Sequence, residues 1–190
     1  MRLLSVVMGA LGFFFTSPTI AKVNCDYTST ITKDIMECAT QQYEKVDKNL
    51  NEQYSKMAAP HGFPDRGALL TSERAWVKYR DAYCKNIRES TLPGEEAEIE
   101  KLGCLISLTS SRLVELFNLD TGVSGDGFYK TLSFTSTIFS KNRDEILLYI
   151  ESLKKLPEEV DYYEKNCDLT RMVHGEDERL CRARLKFQSM

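Results

Sequence analysis

Six cysteines, at positions 25, 38, 84, 104, 167 and 181, constrain this 190-residue chain more than any other feature. An even number of cysteines in an oxidising compartment reads as a set of disulfides. Zinc is the competing use, but there is no Cys-x-x-Cys pair and only His61 and His174 are available to complete a ligand set, so neither metal nor cofactor is expected. The residues ahead of Cys25 point to that compartment. Arg2 precedes the apolar run "LLSVVMGALGFFF", and "TSPTIA" supplies small residues before a cut, with Thr19 third from the signal-peptidase site and Ala21 immediately before it. The run is shorter than the roughly 20 residues of a spanning helix. Residues 1–21 are therefore expected to be a signal peptide, leaving a mature chain in the periplasm or secreted, with no stable membrane span.

Cleavage removes one charge, Arg2, and takes the formal net charge from −3 to −4. A mildly acidic exported protein is a poor candidate for nucleic acid and suits a basic protein partner.

Helical periodicity dominates the mature chain. Ile35, Ala39, Tyr43, Val46, Leu50, Tyr54 and Met57 recur at spacings of three and four, with Thr32 as the expected N-cap. "APHGFPDRG" ends this helix in a turn between Pro60 and Pro64. A second helix is expected from about Gly67 to Arg88, then a turn at Pro93 and Gly94, then a third from about Glu95 to Leu119. Short turns make the three run up, down and up. Residues 120–127 are rich in glycine, and three further helices are expected: around Phe128 to Phe139, over "RDEILLYIESLKKL" with Pro157 as its stop, and around Glu176 to Phe187. The fold class is all-α: a disulfide-stapled antiparallel three-helix core (residues 22–119) with a C-terminal helical appendage (120–190).

Facing residues of a helical hairpin lie at equal distances from its turn. Cys84 and Cys104 are equidistant from Gly94, which allows a bond between the second and third helices; Cys38 and Cys84 are equidistant from His61, which allows the alternative. "CDYTSTITKDIMEC" and "CDLTRMVHGEDERLC" both open Cys-Asp-x-Thr and close on a cysteine, which hints at local closure. The favoured set is Cys25–Cys38, Cys84–Cys104 and Cys167–Cys181; Cys38–Cys84 with Cys25–Cys104 is the rival.

The only tryptophan lies in "ERAWVKYRDAYC", residues 73–84. The same reflection puts Asp47, Trp76 and Arg112 in one layer, with Arg112 over the indole and paired to Asp47, and brings Arg80 near Gln42 and Tyr43. Asp47, Asn51, Trp76, Arg80 and Arg112 are thus read as a structural polar core. An enzymatic reading would use Asp47, Glu73 or Asp81 as acid or base. No histidine accompanies them, and the chain has no Ser-x-x-Lys, Gly-x-Ser-x-Gly or phosphate-loop motif, so no catalytic residue is assigned.

Cys25, "MECA" at 36–39, Asp47-x-x-Leu50-Asn51-x-x-Tyr54, "ERAWVKYRDAYC" and "GCLISLTSSRLVEL" together resemble the LprI-type lysozyme inhibitor domain of exported bacterial proteins, over residues 25 to about 119. The resemblance implies a small stapled helical domain and inhibition of lysozyme, hence a protein partner and no chemistry of its own. An inhibitor needs a rigid group to present. Two loops are candidates: "PHGFPDR", with His61, Phe63 and Asp65, and "PGEEAEIE", where Glu95 and Glu96 begin an acidic run able to steer a basic enzyme. The alternatives are an envelope structural or stress protein that docks through the appendage, and an immunity protein against a rival's cell-wall toxin.

The signal reading makes a direct forecast. Intact mass measured on the exported protein should correspond to a chain beginning at Lys22 with all six cysteines oxidised; a chain that keeps residues 1–21 would overturn it.

Overall fold

The computed structural model describes residues 25, 28–94, 96–124, 127–138 and 141–188; the expected signal segment and Glu95 lie outside them. Seven helices are found there, with no strand among the described residues: α1 (Thr32–Ala58), α2 (Arg66–Thr91), α3 (Ala97–Thr121), α4 (Phe128–Ile138), α5 (Arg143–Ser152), α6 (Pro157–His174) and α7 (Glu178–Gln188).

Local chemistry sets most helix ends. Ile31 rather than Thr32 is the N-cap residue of α1, and it supplies no side-chain cap. Asp65 caps α2, its side chain accepting from the backbone N–H of Ala68 at 2.8 Å. α3 stops at Gly122, whose φ of 74° suits a residue without a Cβ, and α6 stops in the same way at Gly175. Asn142 and Glu145 form a reciprocal capping box on α5.

Pro157 does not stop a helix as its sequence setting suggests. α5 already ends at Ser152, and Pro157 opens α6, at the first-turn position where its missing N–H costs nothing. The apolar period alone marks no helix over 157–174, yet α6 is central to the packing.

α1 and α2 both lie along α3 and barely touch one another. α1 and α3 run parallel, since the Gln53 and Lys56 side chains near the end of α1 donate to Asp120 at the end of α3 (2.9 and 2.7 Å). The other broad side of α2 is covered by α6, not left to solvent. Tyr79 stacks on Tyr162 of α6 (centroids 5.7 Å apart), and Trp76, Tyr79, Tyr163, Leu169 and Leu185 share one apolar core with Leu116 and Leu119 of α3. The segment expected as an appendage therefore fills the main core: the aromatic side of α2 needs more cover than two neighbouring helices provide. A smaller cluster of Phe128, Leu132, Leu147 and Ile150 holds α4 and α5, and joins the rest through Ala183.

α3 is apolar and long enough to cross a membrane by length and composition. Here it is the central helix, with partners on several sides.

The disulfides are Cys25–Cys38, Cys84–Cys104 and Cys167–Cys181, with Cα separations of 5.3, 5.5 and 5.6 Å. The first ties the segment before α1 to that helix, the second joins α2 to α3, and the third joins α6 to α7. Replacing Cys84 and Cys104 together by alanine should lower the unfolding free energy by about 2–4 kcal/mol with helicity retained, as read from urea titration followed by circular dichroism.

Candidate functional site: a sealed face and an open groove

Two polar features stand out in the bundle, one closed and one open. The closed one starts at Arg112, which is only 1% exposed. Its Nε donates to Glu73 at 2.9 Å, its Nη1 to Asn166 Oδ1 at 2.7 Å and to the Tyr162 hydroxyl at 3.2 Å, and its Nη2 to Ser72 at 3.3 Å. Asn166 passes the connection on, donating through Nδ2 to Glu115 at 2.7 Å. Glu115 in turn accepts from Arg184, which also donates to Glu176 at 2.9 and 2.8 Å. Glu73, Arg112, Asn166, Glu115, Arg184 and Glu176 thus form one hydrogen-bonded chain through α2, α3, α6 and α7, ending just before α7. Nearby, Lys186 donates to the buried Glu159 at 2.7 Å.

Burial opposes each charge in this chain, and the neighbours decide the outcome. Desolvation works to lower the Arg112 pKa, but Glu73, Tyr162 and Glu115 outweigh it, and the group sits above its ordinary value. Arg184 is raised in the same way, against desolvation, by Glu115 and Glu176. Burial pushes the Tyr162 phenol up to about 12, with Arg112 pulling the other way. Burial also works to raise Glu176, yet hydrogen bonds and attraction from Arg184, with the Tyr129 hydroxyl donating at 2.8 Å, hold it below the usual glutamate range.

The sequence-based partner of Arg112 is corrected by this geometry. Arg112 pairs with Glu73 and lies over the Tyr162 ring (5.4 Å), not over Trp76. Arg80 takes the place over the buried Trp76, 5.0 Å from the ring centroid. Asp47 sits 3.9 Å from Arg80 and accepts from the exposed Asn51 at 2.9 Å, so these two belong to the outer side of α1 rather than to the interior. The physical reason is α6: Tyr162 and Asn166 fill the space on the far side of Arg112, and Glu73 lies nearer than any group of α1.

The candidate binding loops also differ from expectation. Phe63 is buried and anchors its turn, and Asp65 is committed to capping α2. Gly62 is pressed so closely on α1 that an added Cβ would lie 2.3 Å from the Lys56 carbonyl oxygen. Only His61, in a left-handed conformation (φ 63°), is exposed among the three named residues of that loop. At the opposite turn Glu96 is exposed, as is Glu100.

The open feature is a groove of about 490 Å³ between α1 and α2, walled by α3 and reaching Cys84 of the α2–α3 disulfide. It exists because α1 and α2 diverge over α3. Tyr43, Arg80, Arg88, Glu98, Lys101 and Leu105 are among the residues that line it. Among the described residues no group of three or more His, Cys, Asp or Glu side chains is placed to hold a metal ion.

Sequence reasoning missed Ser72, Glu115, Tyr162, Asn166 and Arg184. One signal was available: Arg112, Glu115, Leu116 and Leu119 follow the helical period of a single face, so Glu115 stands where an apolar residue is expected.

The family model described as "Lysozyme inhibitor LprI" matches residues 25–116. A protein of Rhizobium meliloti (strain 1021), described as uncharacterized, is 30% identical over 99 residues, which is 45% of this chain and 71% of that protein. No solved structure matches.

Two outcomes test the buried chain. Arg184→Met removes the cation that Glu115 and Glu176 pair with directly and should cost about 3–5 kcal/mol in denaturant unfolding, whereas Arg184→Met combined with Glu115→Leu should cost less than the sum of the two single changes. Because the Glu176 pKa is depressed in the folded chain, its contribution is complete above the unfolded glutamate value, about pH 4.3, and is lost as pH falls through the lower folded value. Glu176→Gln should therefore flatten the acid limb of a stability against pH curve.

Proposed function

Because this chain belongs to the LprI family of lysozyme inhibitors through residues 25–116, we propose that it is an exported binding protein that inhibits lysozyme or another peptidoglycan-degrading enzyme. Membership of that family is the observation that carries the reading. The family is one of inhibitors, not enzymes, and inhibition implies a protein partner. Three disulfides fit an oxidising extracytoplasmic compartment, here taken to be the periplasm or the exterior.

The scaffold supports such a role physically. α2 is tied to α3 by a disulfide, and their inner face is sealed by α6 and α7, so the family region meets a partner without having to order itself first. Its free surfaces are the outer side of α1, the groove and the turns. At the turn between α2 and α3, Glu96 and Glu100 are exposed, two carboxylates able to steer a basic enzyme. The loop at 60–65 is a weaker candidate because Phe63 and Asp65 already serve the fold.

The test is a titration of lysozyme-catalysed wall lysis with the purified chain, residues 22–190, at low and high salt. Turnover should fall to a stoichiometric end point. Glu96→Ala with Glu100→Ala should slow association by about tenfold at low salt and reduce its salt dependence, leaving thermal stability unchanged. Failure to inhibit several lysozyme types, together with no complex on gel filtration, would sink the proposal.

A further inference from the structure

The groove beside Cys84 is lined by all three helices of the family region, and among the free surfaces of that region it is a hollow rather than a protruding group. A concave surface cannot enter the cleft of an enzyme. At about 490 Å³ it lies within the usual range of small-ligand sites, roughly 300–1,000 Å³.

Its charges are interleaved. Arg80 donates to Asp81 at 2.9 and 2.8 Å, Lys85 stands 3.6 Å from Glu89, and Arg88 donates to Glu98 across the α2–α3 hairpin. Lys101 also lines the groove, and among the described residues its ammonium has no ion-pair or hydrogen-bond partner. The groove thus carries a surplus of one positive charge on a chain whose overall charge is negative. The pairs at its mouth are partly exposed, and such pairs contribute little to stability, so a ligand can exchange for either partner at little cost. Tyr43 and Leu105 supply ring and aliphatic contact between the charges.

A lining of this kind suits a ligand that itself carries both signs on a short body. We propose that this groove binds a short zwitterionic peptide, its carboxylates on Lys101 and Arg88 and its ammonium on Glu89 and Glu98. The binding is separate from enzyme inhibition and stands or falls without lysozyme in the assay. Two sources share the chemistry: the stem peptides of peptidoglycan, and ordinary peptides with free ends.

The molecule contains its own reporter. Trp76 is the only tryptophan, and the Arg80 guanidinium that lines the groove lies over its ring, so a charged ligand that fills the groove beside Arg80 changes the field at the indole and alters its emission. The experiment titrates the full mature chain, followed by tryptophan fluorescence and calorimetry, with three probes: Ala-γ-D-Glu-diaminopimelate, Ala-Glu-Lys with free ends, and acetyl-Ala-Gln-Met-amide.

Saturable binding of either charged peptide at about 1 mM or below, and none of the neutral one, is the expected result. Lys101→Met should weaken that binding by about tenfold or more, the effect of one charge-assisted hydrogen bond, without moving the melting temperature. Preference for the diaminopimelate peptide would identify the wall as the source; equal binding would identify peptides in general. No saturable heat or emission change with either charged probe would overturn the proposal, and so would binding that survives both Lys101→Met and Arg88→Met unchanged.

Discussion

The contact between Arg112 and Glu73, continued through Asn166 to Glu115 and Arg184, is the constraint that the arrangement of helices depends on. Each of these groups is expensive to bury alone and tolerable only when its hydrogen bonds are complete. Completeness here requires four helices at once: Glu73 and Ser72 from α2, Arg112 and Glu115 from α3, Asn166 and Tyr162 from α6, and Arg184 from α7. If α6 and α7 leave, Arg112 loses two acceptors and Glu115 loses both its donors. The network thus fixes where the C-terminal helices dock, while the aromatic packing of Tyr79 on Tyr162 gives them area to bury.

This division of labour explains the placing of the disulfides. One closes the entry to α1, one the α2–α3 hairpin and one the α6–α7 hairpin, and none crosses the glycine-containing connection after α3. Covalent staples hold the local units; buried charge and apolar contact hold the units together. The surface left over is correspondingly limited. With the inner face of α2 and α3 covered, only the outer side of α1, the groove beside it and the acidic turn remain open for recognition within the family region.

Much of the helical pattern was readable because the first three helices carry long apolar periods and end at glycine or proline turns. The family resemblance was readable for the same reason, since its motifs sit on those helices. The polar partners were harder. Reflection through a turn assumes that consecutive helices pack face to face, and α1 and α2 do not: both rest on α3 and diverge, which moves Asp47 away from Arg112 and opens the groove. α6 was missed because Pro157 reads equally as a stop and as a first-turn residue, and because Glu159, Asn166 and Thr170 interrupt its apolar side while being buried.

The sequence by itself determined the all-α class, the long helices and their turns, and the resemblance to a lysozyme inhibitor family, because period, turn chemistry and motif spacing are local along the chain. Only the tertiary structure decided that α6 and α7 belong to the main core, that Glu73 rather than Asp47 answers Arg112, that Arg80 covers Trp76, and that Phe63 points inward. Those outcomes depend on which distant groups can satisfy a buried charge or cover an aromatic face, and that choice is made between helices rather than within them.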